Sequence, residues 1–412
     1  MKIKKHIAYL APEIPALSAT FVYQEILQLE KLGHSVKPIS IHRPANKARS
    51  DVLGLLEKRT FYLYEQSVTK LVLRNIRLLI TSPVKYAVTL RGALADAASV
   101  GILTHIGKGL LYRFFMAASI VSDLQRENIS HIHSNFAHIS TDISMYAAAL
   151  AGITFSFTSH ANDLFERGWL LPEKVGRAAF AVTISEYNKN FLIKKGADKE
   201  KINVIHCGVD TGKFSSRDDK ALGEPPLIGT LGRMVEKKGF DILIQACGIL
   251  KSNNVDFSLQ IAGDGPLMGR LKELIVSHNL ADQIKLIGPL SHEDVPGWIK
   301  LLDIFVLPCK EDEHGDMDGI PVVLMEAMLS GVSVISSKIS GIPELIIDGE
   351  TGFLCDPDDK ESLAVKLSEM LSTNDSLASQ RKKAASKVIA DFELSNNVQQ
   401  LSTLFDDFLL AH

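Results

Sequence analysis

Short apolar runs alternate with helix-like segments along most of the chain, and this alternation restricts the fold more than any other feature. The N-terminal half opens with HIAYLA, FVYQEILQLEKLGH and SVKPISI, a β-α-β order typical of a parallel sheet. Further strand-like runs follow at SHIHSNF, TFSFTSH, FAVTIS and INVIHCGVD. Because parallel strands need crossover connections, which are usually helices, the pattern predicts an α/β fold.

The second half repeats this order. Its runs are PLIGTLGR, FDILIQACGILK, FSLQIAGDGP, IKLIGPL, DIFVLPC, VSVISS and TGFLCDP. A chain of 412 residues is also long for one hydrophobic core, so we expect two Rossmann-like doubly wound domains that face a central cleft. We place them at residues 1–209 and 227–390, joined by a polar linker at 210–226 that ends in two prolines. The remaining residues, 391–412, are expected to form a helix that packs back on the N-terminal domain.

Composition and charge exclude several classes of protein. A formal net charge of -3 argues against a nucleic-acid binder that depends on many phosphate contacts. The four cysteines are at least 40 residues apart, which gives neither a zinc pattern nor a small disulfide framework. The N-terminal apolar run is short and is typical of a first strand, so we expect a cytoplasmic protein.

Residues 68–116 interrupt the alternation with an apolar, basic segment. Seven lysines and arginines stand there against a single acid, Asp96, and no uncharged apolar stretch is long enough for a transmembrane helix. Two interpretations remain open. The segment either contacts an anionic membrane surface peripherally, at the inner face of the plasma membrane, or covers the first sheet with its basic side chains in water.

The stretch DMDGIPVVLMEAM, residues 316–328, holds two carboxylates on either side of a predicted helix start. Pro321 fits the first turn of a helix, whose free N–H groups favour an anion. Ionised carboxylates are acceptors suited to pairs of sugar hydroxyls, so Asp318 and Glu326 could hold the two ends of an elongated polyhydroxylated ligand. A ribose, a diphosphate and a hexose in sequence would satisfy this arrangement.

Two loops in the second half suit a diphosphate. Arg233 and Lys238 lie in the loop GRMVEKKG, where they would neutralise a leaving diphosphate. The turn AGDGP brings Gly265 and Pro266 to the end of a strand, where a ligand can approach the backbone. Its glycines lack the Gly-x-Gly-x-x-Gly spacing of dinucleotide enzymes, which disfavours a nicotinamide-dependent oxidoreductase.

Together these stretches resemble family 4 of the retaining glycosyltransferases, which have the GT-B fold. The resemblance is carried by the loops of Arg233 and Lys238, by AGDGP, by DGIP with EAM, and by SGIPELIIDGETGFL. It implies that Asp318 binds hydroxyls of the donor sugar and that Glu326 binds the nucleotide ribose. The first acid is usually Glu, so Asp318 shortens the reach by one methylene. The donor site implied by the resemblance also includes Gly319, Ile320, Pro321 and Val322.

The first domain resembles only a subset of the family. PALSATFVYQEILQLEKLGHSV resembles the members that build bacterial exopolysaccharides and places Ser18 and Thr20 in a loop on the acceptor side. FTSHANDLF resembles the His-bearing loop of the family, which makes His160 a candidate for a hydrogen bond to a hexose hydroxyl.

The resemblance implies a retaining hexosyltransferase of bacterial surface polysaccharide biosynthesis. It would transfer a hexosyl unit from a UDP- or GDP-sugar to a lipid-linked or polysaccharide acceptor. Its catalytic residues would be Arg233, Lys238, His160 and Asp318, with no metal and no cofactor. The acidic loop EDEHGDMDG, residues 311–319, could instead bind a divalent cation. The sequence is also compatible with a catalytically inactive nucleotide-binding module of the same fold and, with less support, with an NAD-dependent oxidoreductase.

Overall fold

The computed structural model describes residues 6–16, 19–44, 51–216, 222–291, 293–372 and 377–410. These residues form two compact units. The first comprises Met1–Ile205 with Val398–His412, and the second comprises His206–Asn397. Both units are α/β, as the alternation of strands and helices predicts. Part of the predicted linker, residues 217–221, lies outside the described residues.

The first unit contains seven strands and nine helices among its described residues, before the final helix. The strands are β1 (His6–Glu13), β2 (Ser35–His42), β3 (Phe61–Tyr62), β4 (His131–Asn135), β5 (Thr154–Ser159), β6 (Ala181–Thr183) and β7 (Ile202–Val204). The helices are α1 (Thr20–Lys31), α2 (Asp51–Arg59), α3 (Val68–Thr81), α4 (Pro83–Ser99), α5 (His105–Arg126), α6 (Ile139–Ala151), α7 (Asn162–Phe165), α8 (Leu171–Arg177) and α9 (Glu186–Lys194).

The strands of the first unit pair in the order β3-β2-β1-β4-β5-β6-β7, and each described pairing is parallel. The chain reverses its direction of winding between β1 and β4. In doubly wound sheets, ligands bind beyond the carboxyl ends of the strands at such a reversal. Helices cover the sheet and bury a core that includes Phe114, Tyr146 and Phe157.

The second unit follows the same plan. Its strands are β8 (Leu227–Leu231), β9 (Ser258–Ala262), β10 (Ile284–Gly288), β11 (Ile304–Leu307), β12 (Ser333–Ser337) and β13 (Phe353–Cys355). Its helices are α10 (Phe240–Ser252), α11 (Met268–Ser277), α12 (Val295–Leu301), α13 (Val322–Leu329), α14 (Ile342–Leu345), α15 (Lys360–Ser372) and α16 (Leu377–Asp391). Helix α17 (Leu394–Leu410) begins in this unit, and from Val398 onward it belongs to the first.

The second sheet has the order β10-β9-β8-β11-β12-β13, again parallel among the described strands. Its reversal lies between β8 and β11, and the four residues of β11 are all buried. The loops that carry Arg233, Lys238 and Asp318 therefore leave the carboxyl ends of the two strands on either side of this reversal.

The basic apolar segment, residues 68–116, forms α3, α4 and most of α5. Helix α3 begins at Val68 and is capped by Ser67, whose hydroxyl accepts a hydrogen bond from the backbone N–H of Lys70, and α4 begins with Pro83. Among the described residues, no helix combines the length and the hydropathy that crossing a lipid bilayer requires.

Candidate active site

The second unit brings Lys238 and Asp318 together at the reversal of its sheet. Lys238 ends a short 3-10 turn, Glu236–Lys238, that connects β8 to α10, and Asp318 lies on the segment between β11 and α13. The Lys238 Nζ is 2.7 Å from Asp318 Oδ2. A second ammonium, that of Lys237, lies 3.8 Å from Asp318 Oδ1. All three side chains are at least four-fifths buried.

Burial and charge act against each other in this pair. Burial disfavours the charged form of Lys238, but the Asp318 carboxylate, together with Cys309 and Asp316, outweighs it, so the pKa of Lys238 is raised. Burial likewise acts to raise the pKa of Asp318, but Lys238 and Lys237 outweigh it and lower that pKa. The pair is therefore ionised at neutral pH, and the carboxylate is already held in place by cations.

Cys309 adds a third contact to Asp318. Its Sγ lies 3.3 Å from Asp318 Oδ2, and the side chain is fully buried just after β11. Burial first, and then the Asp318 charge, raises the pKa of this thiol well above its usual value. Cys309 is therefore a neutral thiol that donates to the carboxylate, and it helps to fix the direction in which Asp318 points.

The acidic loop between β11 and α13 is organised by its own hydrogen bonds. Asp312 Oδ1 accepts from the backbone N–H groups of His314 and Asp316, at 2.9 Å each. Asp316 Oδ2 accepts from Lys237 Nζ at 2.6 Å. Within the described part of the chain, no group of three or more His, Cys, Asp or Glu side chains is arranged to hold a metal ion. Asp312 and Asp316 thus have partners within the protein.

Glu326 stands on α13, the helix that follows the acidic loop. Pro321 caps that helix, and Gly331 follows its end with a φ of 71°, in agreement with the predicted start and stop. Glu326 is the one charged residue of α13. It is half-buried, and no described residue forms a hydrogen bond or ion pair with its carboxylate. Burial raises the pKa of Glu326 to about 7, with Lys213 acting in the opposite direction.

The glycine loop after β9 is closely packed against the loop after β8. A Cβ on Gly263, whose φ is 128°, would stand 1.9 Å from the carbonyl oxygen of Gly232. A Cβ on Gly265 would stand 2.6 Å from the carbonyl oxygen of Met234. Glycine is required at both positions because two backbone segments meet there. Gly265 itself is half-buried and Pro266 is exposed.

The other residues predicted to bind the donor differ in their exposure to solvent. Arg233 is exposed, and its guanidinium has no hydrogen-bond or ion-pair partner among the described residues. Gly319, Ile320 and Pro321 are buried, and Val322 is half-buried at the first position of α13. Arg233 therefore differs from Lys238, because it is a cation that nothing within the described chain neutralises.

In the first unit, His160 follows β5 and is almost completely buried. Its ring lies 4.6 Å, between centroids, from both Phe21 and Phe136. Its Nε2 is 2.5 Å from Asn135 Oδ1, and its backbone N–H donates to the Asp163 carboxylate. Burial lowers the pKa of His160 to about 3, so the ring is neutral at physiological pH.

A chain of buried polar groups continues from His160. Asn135 Nδ2 donates to the Tyr9 hydroxyl, which donates in turn to Glu25 Oε1 at 2.5 Å. Burial raises the pKa of Glu25 to about 7, with the Tyr9 hydrogen bond acting in the opposite direction. The direction of these bonds leaves Asn135 Oδ1 facing the ring, so that His160 carries its proton on Nε2.

The two remaining predictions in the first unit, Ser18 and Thr20, differ in what the structure shows of them, and His133 is a further buried histidine of this unit. Thr20 is half-buried at the first residue of α1, and Ser18 lies outside the described residues. His133 is fully buried, and its two ring nitrogens contact the hydroxyls of Ser156 and Thr158 on β5. This supports a structural role for His133.

Several residues of these two sites were not singled out by sequence reasoning. They are Lys237, Cys309, Asn135, Tyr9 and Glu25. One signal was available for Glu25, because it lies between Val22 and Tyr23 on one side and Ile26 and Leu29 on the other, all of which are buried residues of α1. An acid among core positions of an amphipathic helix indicates a buried polar contact.

Two family models match the chain and together span most of it. The model for glycosyl transferases group 1 matches residues 213–388, and the model for glycosyltransferase family 4 matches residues 18–213. The second unit, with Lys238, Asp318 and Glu326, lies almost entirely within the first of these matches.

Curated relatives match over nearly the full length. The chain is 29% identical over 415 residues to a Salmonella typhimurium protein named as the colanic acid biosynthesis glycosyltransferase WcaL, with 97% of this chain and 98% of that protein covered. It is 30% identical over 375 residues to the amylovoran biosynthesis glycosyltransferase AmsK of Erwinia amylovora, with 88% and 89% covered. Among solved structures, Anabaena HepE in complex with UDP-glucose matches with a TM-score of 0.72 and 17% identity, covering 98% of this chain and 99% of that one.

Proposed function

Since the chain belongs to glycosyltransferase family 4, with the GT-B fold, we propose that it transfers a hexosyl unit from a UDP- or GDP-sugar to an acceptor hydroxyl with retention of anomeric configuration. The acceptor class is a lipid-linked or polysaccharide glycan of bacterial surface polysaccharide biosynthesis. The names of the WcaL and AmsK relatives support this class.

The observation that carries the proposal is the arrangement of charges at the reversal of the second sheet. Cations of the loop after β8 lie there beside Asp318, and Glu326 is held half-buried without a partner among the described residues. A half-buried carboxylate without partners gains most from ligand hydroxyls, because they replace the hydrogen bonds lost with water. A nucleotide ribose supplies two such hydroxyls.

The donor diphosphate takes the place of Asp318 as the main partner of Lys238 in this proposal. Arg233 is the second cation for the diphosphate, because it is exposed and no described residue neutralises it. As the bond between the sugar C1 and the diphosphate oxygen breaks, negative charge grows on that oxygen, and both cations stabilise it. The departing oxygen accepts the proton of the acceptor hydroxyl while the new C1–O bond forms on the same face of the sugar.

Asp318 and His160 receive the sugar-binding roles that the family resemblance implies. Asp318, which keeps its contacts with Lys237 and Cys309 when Lys238 turns to the diphosphate, accepts from donor sugar hydroxyls. His160 is the residue of the first unit proposed for a hydrogen bond to the hexose. Since the chain supplies cations for the diphosphate, the proposed reaction needs no metal ion.

The donor is identified by measuring nucleotide release from a panel of UDP-, GDP- and ADP-sugars, with and without EDTA. We expect release from one UDP- or GDP-sugar that EDTA does not abolish, and a product whose anomeric configuration by NMR is that of the donor. Nucleotide binding without release, in the presence of acceptor extracts, would instead indicate an inactive binding module.

We also propose that the basic apolar segment contacts an anionic membrane surface. Of the twenty-two large hydrophobic residues that are exposed among the described ones, thirteen lie between Val68 and Phe115. The exposed cations Lys70, Arg77, Lys85, Arg91 and Lys108 accompany them, and no described acid pairs with these five. Apolar side chains beside unpaired cations suit the interface of an anionic bilayer, where a lipid-linked acceptor would be found.

A further inference from the structure

A cavity of about 690 Å³ lies in the first unit between α4 and α6, and none of the roles described above uses it. We call it the α4/α6 cavity. Its walls come from α4, from α6 and the strand that follows it, and from the segment between α8 and β6, with Phe408 of α17. Its volume is within the range of sites that hold a small molecule or a lipid chain.

The walls of the α4/α6 cavity are mostly apolar. Val88, Met145, Tyr146, Ile153, Phe155 and Phe408 contribute aliphatic and aromatic surface. The polar side of the wall is largely neutralised within the protein, because Arg177 pairs with Asp96 at 2.6 Å and the Tyr146 hydroxyl donates to the same carboxylate. An apolar ligand can therefore fill the space without leaving these charges unpaired.

Two lysines without acidic partners among the described residues lie by this cavity. Lys201 lines it, and its Nζ donates to the carbonyl oxygens of Gly176 and Ala178 at 2.6 and 2.9 Å. Lys85 precedes the lining residues of α4 by one turn, and its Nζ lies 2.5 Å from where a Cβ on Gly152 would stand, next to Ile153 of the wall. Because no described acid forms an ion pair with either lysine, both favour an anion nearby.

The α4/α6 cavity is also continuous with the basic apolar segment. Val88 belongs to both, since it lines the cavity and is 66% exposed. Val84, one helical turn before it, is 74% exposed. An aliphatic lipid chain that extends from a membrane surface along α4 would thus contact apolar side chains as far as the cavity wall.

We propose that the α4/α6 cavity binds one aliphatic chain of an anionic membrane lipid, with the lipid phosphate against Lys201 and Lys85. The inference rests on the proposed membrane contact of the basic apolar segment and gives that contact a specific lipid site. It does not depend on the identity of the sugar donor. A bound lipid chain would hold the first unit at the surface where the acceptor is found.

The test uses the full-length protein and cis-parinaric acid, a linear anionic chain that fluoresces when it enters an apolar site. We expect saturable binding of one molecule per chain. The key variant is Gly92→Phe, because Gly92 lines the cavity and a Cβ added there meets no atom within 4 Å. The new ring should fill the space and weaken binding by about tenfold or more, the factor that corresponds to two methylene groups left in water.

The matched control is Ala95→Phe, an exposed position of the same helix outside the cavity lining, which should leave binding unchanged. Lys201→Gln should weaken binding, and lysophosphatidylglycerol should displace the probe better than lysophosphatidylcholine. Absence of saturable binding, or equal binding by Gly92→Phe, would overturn the proposal. If polyprenyl phosphate displaces the probe and lysophosphatidylglycerol does not, the proposal that the ligand is an anionic membrane lipid is wrong.

Two further measurements on the same preparations separate this inference from the proposed function. Ile80→Ser, on the exposed surface of α3, should weaken liposome binding and leave cis-parinaric acid binding intact. Nucleotide release from the sugar donor is measured in parallel. If the native protein transfers sugar but does not bind cis-parinaric acid, the cavity proposal alone is contradicted. If it binds cis-parinaric acid but never transfers sugar, the transferase proposal alone is contradicted.

Discussion

Lys238 Nζ lies 2.7 Å from Asp318 Oδ2, so the two residues that the sequence assigns to different parts of the donor are bound to each other. Both side chains are more than four-fifths buried, and Lys237 and Cys309 are additional neighbours of the carboxylate. Donor binding therefore involves an exchange of partners, because the diphosphate needs the cation that Asp318 holds.

Replacing Lys238 by Met should cost both stability and activity. It leaves Lys237, at 3.8 Å, as the only cation among the described residues beside the Asp318 carboxylate. Removing one partner of a buried pair costs about 3 kcal/mol or more in free energy of unfolding. The double variant Lys238→Met with Asp318→Leu removes both charges and should recover much of this loss without recovering transfer. Urea unfolding of the four proteins measures this, and strictly additive losses would contradict the pairing.

Arg233→Ala should behave differently. Arg233 is exposed and has no ion-pair partner among the described residues, so its loss should leave the free energy of unfolding nearly unchanged. Because its proposed contact is with charge that develops on the leaving diphosphate, kcat should fall by about a hundredfold, and donor affinity much less. Steady-state kinetics of the native protein and Arg233→Ala measure kcat and kcat/KM, and a donor titration measures the affinity. Equal effects on donor affinity and on kcat/KM would mean that Arg233 binds substrate and transition state alike.

Glu326 should make donor binding depend on pH near neutrality. Burial raises its pKa to about 7, and the ionised form binds ribose hydroxyls more strongly, because both of its oxygens accept and the bonds are charge-assisted. Donor KM should therefore rise as pH falls from about 8 to about 6, across that pKa. Glu326→Gln should abolish this dependence, since the amide does not titrate. A KM profile that remains unchanged in Glu326→Gln would show that another group is responsible.

The same carboxylate should also affect stability. Between the ordinary pKa of 4.5 and the folded value of about 7, the folded protein binds more protons at Glu326 than the unfolded chain does. The contribution of this group is thus favourable at low pH and is lost as pH rises through 7. Glu326→Gln should therefore stabilise the protein without donor at about pH 8, by an amount on the order of 2 kcal/mol. Thermal unfolding at about pH 5 and about pH 8 compares the two proteins, and an equal difference at both values would contradict the assignment.

His160 should be neutral and protonated on Nε2. Burial lowers its pKa to about 3, and the hydrogen bonds from Asn135 to Tyr9 and from Tyr9 to Glu25 leave the Asn135 oxygen facing the ring. Nitrogen-15 NMR of labelled histidine reports the tautomer directly. Tyr9→Phe removes one bond of this chain and should weaken the preference. Protonation on Nδ1 in the native protein would contradict the direction of the whole chain.

Binding of the protein to anionic vesicles should be sensitive to salt. The five cations of the basic apolar segment that have no described acidic partner attract an anionic surface, and their attraction falls as the screening length shortens to about 3 Å at 1 M salt. Sedimentation with phosphatidylglycerol vesicles at low and high ionic strength should show this loss. If the protein does not bind the vesicles at low salt, the membrane proposal is contradicted. The segment would then only cover the first sheet, with its basic side chains in water.

The sequence was sufficient for much of the fold. The strand-like runs of both halves correspond to strands, whereas FVYQEILQLEKLGH and FDILIQACGILK form the helices α1 and α10. The stretch after DMDG begins a helix at Val322, next to Pro321, as the sequence indicates. Periodicity reports burial along one element, and turn residues report where elements end. Both signals are local, so they also place loops correctly at the ends of strands.

The partners of the site residues could not be predicted in this way. Lys237 and Asp316 are 79 positions apart, and their contact depends on β8 and β11 being neighbours across the reversal of the sheet. His160 is indicated by the resemblance of FTSHANDLF to the His-bearing loop of the family. Its contact with Asn135 and its place between two phenylalanine rings, however, depend on three separate segments. Such contacts follow from strand order, which hydrophobic patterning does not encode.

Affinity for the nucleotide diphosphate tests the central claim most directly. UDP and GDP are titrated into the native protein, into Glu326→Ala, and into the control Glu361→Ala, an exposed carboxylate on α15. We predict that one nucleotide binds, that Glu326→Ala weakens it by about tenfold or more through the loss of hydrogen bonds to a charged acceptor, and that the control is unchanged. Equal affinity of Glu326→Ala and the native protein, or no binding of either nucleotide, would contradict the account.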